Sequence, residues 1–189
     1  MALINKIMPG YSATLWCQDE ASPTPLTDAQ LATWTAQVAN IVGTSAGGTG
    51  TSTTGLQIPV ETIPPFGADD AFAAYAVAGA RTGAKITTQN QVTSMTIVCP
   101  WNPADPAQLL IRADGYNGTI IRTYVVAVYD GTNTVAYAFN ARVGGMSWDM
   151  NTNAEGKFTF TLHPIGGNSY DNAEKTAQIF LDCTLYIPA

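Results

Sequence analysis

Charge is what this chain has least of. Of its 189 residues only 12% are Asp, Glu, Lys or Arg, about half the usual share of roughly 25%. Lys and Arg number 8 against 14 acidic residues, giving a net charge of −6. Affinity for nucleic acid rests on cations that neutralise phosphates, so this balance disfavours a DNA clamp. Histidine occurs once, as His163, with Pro164 directly after it. Ser–His–Asp and Cys–His catalysis both need a base, and this ring's setting reads as a strand-end side chain. Cysteine occurs three times, at Cys17, Cys99 and Cys183, with no C-x-x-C spacing. Neither a zinc ribbon nor a thioredoxin-type redox site is indicated, and buried free thiols are expected, one disulfide being the alternative. No apolar run approaches the ~20 residues of a membrane-spanning helix, the longest, residues 71–80, being half that length and mostly alanine. The first ten residues, MALINKIMPG, lack the pattern of a secretory signal, so use without export is expected.

Other chemical signatures are missing too. The glycine-rich stretch at 43–50 lacks the G-K-[ST] ending that cradles a phosphate. Asp69 and Asp70 are neighbours whose side chains diverge, and Asp105, Asp114 and Asp130 read as a helix cap, a helix end and a turn. The Asn117-Gly118-Thr119 sequon means little without export. Trp16, Trp34, Trp101 and Trp148 raise the idea of a sugar platform, although Trp34 and Trp101 read as packing residues. The expectation is a protein without catalysis, metal or cofactor.

What the chain has in quantity is threonine, at 25 positions, and alanine, at 27. Hydrophobic residues make up 46% and aromatics 10%, well outside the composition of a disordered chain. Residues 12–17 alternate, with Ala13, Leu15 and Cys17 on one face and Thr14 and Trp16 on the other, and read as an opening strand. Thr27 and Gln30 have capping-box spacing before Leu31, Trp34, Val38 and Ile41, which predicts a helix over 28–42. Residues 43–55, almost all Gly, Ser and Thr, read as a flexible loop.

Three prolines, Pro59, Pro64 and Pro65, interrupt an apolar run of Leu56, Ile58, Val60, Ile63 and Phe66. Prolines forbid a central strand, yet the run is too apolar for a free tail, so residues 56–66 read as an extended arm docked on a neighbour. Asp69 is expected to cap a short Ala-rich helix through Phe72, Tyr75 and Ala76. Strands follow: 92–99, with Met95, Ile97 and Cys99 together; 119–129 and 134–139 around the Asp-Gly turn of DGTN; 157–163, with Phe158, Phe160 and Leu162 inward; and 178–187, with Ile179, Leu181, Cys183, Leu185 and Ile187 on one side. Between them, Asp105 caps a helix with Pro106 at its first position; Leu109, Leu110 and Ala113 are expected to face the core and Gly115 to end it. The fold expected is mainly β: an antiparallel β-sandwich or barrel with one core-packed α-helix, forming a single domain over 1–189 with a helix and an extended loop or arm inserted at about 26–80.

From about residue 85 to 167 the order of elements resembles the tail tube (major tail) proteins of long-tailed bacteriophages. A Thr-rich strand leads to a helix carrying Gln108, Leu109 and Leu110. A later strand pair ends in Phe158, Thr159 and Phe160 before Gly166 and Gly167, and the opening PGYSATLWC is similar to the family's first strand. The resemblance implies a subunit that closes into hexameric rings, stacks them into a hollow tube and conducts a genome. The implied partners are further copies of itself, a tail terminator, a tape measure, baseplate or tip proteins and, in some systems, a sheath, with DNA as non-adhering cargo and no membrane insertion. The implied location is the virion tail, assembled in the host cytoplasm. Six copies at −6 each carry −36 per ring, which would repel phosphate. Ring-to-ring or subunit contact is expected at Ile58, Ile63, Pro64, Pro65, Phe66, Phe72 and Tyr75. The competing reading is a β-sandwich binding module for carbohydrate or capsid decoration, favoured if Trp16 and Trp148 share one exposed face.

Overall fold

Alternating apolar residues are the strongest local signal in the chain, and they build most of the sheet. The computed structural model describes residues 13–27, 55–65, 68–75, 84–129, 134–150, 154–165 and 181–183. The strands are β1 (Ala13–Gln18), β2 (Gly55–Ile58), β3 (Ala68–Tyr75), β4 (Ala84–Val92) and β5 (Met95–Pro100), then, after helix α1 (Pro106–Asn117), β6 (Arg122–Tyr129), β7 (Thr134–Asp149), β8 (Lys157–Ile165) and β9 (Leu181–Cys183). The main sheet runs β2-β1-β6-β7-β8-β5, while β3 and β4 form a separate two-stranded sheet. Every ladder among the described residues is antiparallel. The chain is mainly β, as expected.

β7 is far longer than the six residues its alternation suggested. Its first half bonds β6 on one edge and β9 on the other; its second half bonds β8. The register with β8 shifts between Gly144 and Ser147, and Gly145 sits at φ 56, a left-handed conformation natural to glycine. This bulge changes which residues face inward. Ala141 and Val143 are buried before it; after it, Met146 packs on the core and Trp148 stacks on Phe158. The bulge therefore reverses which alternate residues of β7 face the core, while the change of partner from β6 to β8 falls earlier, at Asn140–Ala141.

The two ends of the sheet approach each other. Only three residues separate Ile58, which ends β2, from Thr62, which bridges Val98 of β5, and the four steps between them reach at most roughly 14 Å. Glu61 N–H also donates to Val98 O at 3.0 Å. The sheet thus curls round a core and stays open. Leu15, Cys17, Ile58, Met95, Ile97, Cys99, Tyr124, Phe139, Phe158, Phe160 and Leu162 line that core, and Ala107 and Ile111 of α1 plug it. The opposite face of β1, β6 and β7 is buried as well, through Trp16, Val125, Ala127, Ala136 and Ala138. Leu26 crosses that face: its N–H donates to Thr123 Oγ1, and its carbonyl accepts from Asn140 Nδ2.

α1 begins as its sequence dictates. The Asp105 side chain accepts from Gln108 N–H at 2.9 Å, and Pro106 stands in the first turn. Its buried face is only partly the expected one: Ala107, Gln108, Ile111 and Asp114 face inward and Leu110 packs against the core as expected, while Leu109 and Ala113 are exposed. Polar partners explain the difference. Gln108 Nε2 donates to Pro100 O and its Oε1 accepts from Asn102 N–H, while Asp114 is held by Arg122. The helix ends at Gly118, φ 68, three residues beyond the expected Gly115.

The expected Ala-rich helix at 69–79 is instead strand β3 over Ala68–Tyr75. An isolated alanine helix of that length is marginal, and seven cross-strand pairs with the Thr- and Ile-bearing β4 override its propensity. The expected helix at 28–42, nearly all of the loop at 43–55 and the DGTN turn lie outside the described residues, as does most of the expected final strand.

Candidate assembly surfaces

The arm with its prolines has two parts. Residues 55–58 form β2, an edge strand paired with β1, and Ile58 is 1% exposed in the chain's own core. Ile63 packs against the same core, Pro64 is half-buried and Pro65 exposed. A neighbour is therefore not what covers Ile58, because the curled sheet does so. Phe66 lies outside the described residues. Phe72 pairs with Thr87 and Tyr75 with Ala84 in the β3–β4 hairpin. Among the described residues no ladder joins the hairpin to the main sheet.

A different surface emerges where β5, α1 and the β7–β8 pair meet. Trp101 N–H donates to Gly156 O at 2.7 Å, fixing the indole beside the pair's end. Its ring meets Trp148 edge-on, with centroids 6.2 Å apart, and Phe158 at 5.7 Å. The Arg112 guanidinium lies 5.2 Å above the Trp101 ring, a cation–π contact that ties α1 to this aromatic group. Around it stand four exposed large hydrophobics: Leu109 (48%), Tyr116 (70%), Trp148 (37%) and Met150 (55%). Together they make an apolar ledge along α1 and the β7–β8 end. Sequence reasoning missed it because Leu109 and Ala113 match a core stripe, and Met150 falls just beyond a strand with no periodic signal.

Two other sites are less productive. Ser94 Oγ and His163 Nδ1 are 2.9 Å apart on the exposed face of β8, where His163 pairs with Arg142 in register. The ring's other nitrogen lies against Gly144, and among the described residues no carboxylate bonds the ring. Trp16 is 4% exposed and donates to Thr14 Oγ1, so it and Trp148 do not form a shared sugar-binding face.

No family model matches the chain, and no curated protein matches it in sequence. Its fold is shared with chains of tail-like particles. One, from the anti-feeding prophage cap (the AFP tube terminating cap), is 12% identical with a TM-score of 0.54, covering 97% of this chain and 95% of its own. Another, from the PVC sheath/tube terminator of an extracellular contractile injection system in its extended state, is 11% identical with a TM-score of 0.55, over 86% and 98%. A third, from the six-fold symmetrised anti-feeding prophage baseplate, is 12% identical with a TM-score of 0.50, over 59% and 80%. The fold of this chain is thus that of components of phage-like tail particles.

Proposed function

We propose that this chain is a non-catalytic structural subunit of a bacteriophage-type tail, closing into rings by pairing of sheet edges and stacking those rings into a tube through the β3–β4 hairpin. The observation that carries the reading is the near-complete overlap of the fold with a tube-terminating cap chain. The β3–β4 ribbon supports it, because a lone two-stranded hairpin is marginal in water and gains stability from a neighbour. The outer edge of β2, and that of β5 beyond its bridge to Thr62, support it as well, since edges are managed by pairing with another chain. Six-fold rings, a genome conduit and a place in the virion tail belong to the same proposal, as do terminator, tape-measure and baseplate partners.

Within it, a tube subunit and a terminator differ in one respect. A tube subunit stacks without limit, whereas a terminator forms one ring and stops. Negative-stain electron microscopy of the purified chain at high concentration distinguishes them. Hollow tubes are the expected result, isolated six-fold rings identify a terminator or cap, and a monomer at every concentration counts against the reading. Glycan-array binding by such a monomer would favour the carbohydrate-binding module.

A further inference from the structure

A chemically reactive dipeptide stands at the exposed end of α1. Asn117-Gly118 is the only Asn-Gly pair in the sequence. Asn117 is the last residue of the helix, and Gly118 caps it at φ 68. Residues 116–119 are all exposed. The Thr119 hydroxyl donates to Asn117 Oδ1, and the turn is held by the Gly118 N–H, which donates to Asp114 O at 2.8 Å.

An asparagine amide is open to attack by the backbone nitrogen that follows it, and glycine presents that nitrogen with no Cβ to bar the approach. The Gly118 nitrogen gives its proton to base and bonds to Asn117 Cγ. The Cγ–Nδ2 bond breaks and ammonia leaves, which closes a succinimide ring. Water then adds to either ring carbonyl and opens it to isoaspartate or aspartate, so water is the only co-reactant. During the attack negative charge gathers on Oδ1, the atom to which Thr119 Oγ1 donates, and a donor placed there lowers the barrier. Opposing it is the capping bond, which the attack must break, but helix ends fray and this one is exposed. Asn102 and Asn140 lack this combination. Asn102 is followed by Pro103, whose nitrogen has no proton to give. Asn140 lies within β7, its Nδ2 donating to Leu26 O and its Oδ1 accepting from Thr123 Oγ1.

We propose that Asn117-Gly118 is a self-modification site, at which the folded chain converts its own asparagine to isoaspartate with the Thr119 hydroxyl assisting. The change has a defined structural effect. It places a carboxylate at the C-terminal end of α1, where the helix dipole disfavours negative charge. Isoaspartate also adds one backbone carbon between the α-carbon of residue 117 and the Gly118 nitrogen, which displaces the N–H that caps Asp114 O. Asp114 is the residue that holds Arg122, so the modification loosens the joint between the last turn of α1 and β6. None of this depends on whether the chain assembles.

The test is incubation of the full chain at pH 8, with peptide mass spectrometry reading the amide-to-acid change and chromatography separating aspartate from isoaspartate. Conversion at position 117 is expected to run at least tenfold faster than at Asn140, with isoaspartate the larger product, and faster again at pH 9. Gly118→Ala is expected to slow it at least tenfold and Thr119→Val at least threefold, with unchanged circular dichroism. Thr119 is exposed and outside the helix, so its variant guards against a disturbed cap in Gly118→Ala. The converted chain, once purified, is expected to melt below the unconverted one. Conversion that begins only when urea unfolds the chain, or that runs no faster at 117 than at Asn140, overturns the proposal. A Thr119→Val chain that converts at the wild-type rate overturns the assistance by the hydroxyl.

Discussion

Asp114 and Arg122 grip each other through two hydrogen bonds, Nε to Oδ2 at 2.6 Å and an Nη to Oδ1 at 2.9 Å, with the side chains only 3% and 1% exposed. The other Nη donates to the carbonyls of Gln18 and Glu20. One guanidinium thus joins the last turns of α1, the start of β6 and the exit of β1. Its positive charge is favoured by the carboxylate despite the burial that opposes it.

Removing one member of such a pair leaves the other charge buried and alone. Asp114→Ala is expected to lower stability by about 3–5 kcal/mol. Asp114→Ala combined with Arg122→Met should lose less than the sum of the two single changes, because the orphaned charge is gone. Urea denaturation of the four proteins, compared as a double-mutant cycle, measures this coupling.

That pair also shows where the sequence could and could not be read. The inward alternation of Leu15 with Cys17, of Met95 with Ile97 and Cys99, and of Phe158 with Phe160 and Leu162 was legible, because a half-buried strand repeats every two residues. The cap at Asp105 and Pro106 was legible because it is local. The inner face of α1 was not, because Gln108 and Asp114 are buried only by virtue of partners at Pro100, Asn102 and Arg122. Nor was β3, whose alanines favour a helix until β4 pairs with them. Nothing local marks Leu109 and Tyr116 as an outward surface: that follows from which side of α1 the sheet occupies.

The thiols of Cys17 and Cys99 are free and buried, and burial above all pushes each up to about 12. Below the ordinary value of 9.0 both folded and unfolded chains hold these protons, so the thiols add no pH dependence. Between 9 and 12 the unfolded chain releases protons that the folded chain keeps, and stability is expected to fall by about 1.4 kcal/mol per thiol per pH unit. Tyr124, also raised by burial, acts in the same direction at higher pH. Denaturation midpoints measured from pH 8 to 11 check the slope. A Cys183→Ser chain is expected to show no reaction with a thiol reagent at pH 8 until it unfolds.

Gly145 and Gly118 both have positive φ, 56 and 68, yet their surroundings differ. A Cβ on Gly118 meets nothing within 4 Å, whereas one on Gly145 lies 3.0 Å from Thr161 Oγ1. Gly118→Ala is expected to cost about 1 kcal/mol from backbone strain alone. Gly145→Ala adds the contact with β8 and is expected to cost about 2 kcal/mol or more. Thermal melting of the two variants side by side tests the order, and equal losses would remove the special role of the bulge.

The arm and the hairpin separate folding from assembly. Deleting 55–58 removes the edge partner of β1 and the fully buried Ile58, so the expected result is loss of the folded state. The burial term for an isoleucine alone is about 2–5 kcal/mol, and four β1–β2 pairs go with it. Replacing 68–92 by a short Gly/Ser linker instead removes a ribbon with its own separate ladder. That chain is expected to keep its melting transition within a few degrees while its sedimenting polymer falls at least tenfold. A hairpin-deleted chain that still polymerised would place the stacking contact elsewhere, and one that unfolded would make the ribbon part of the core.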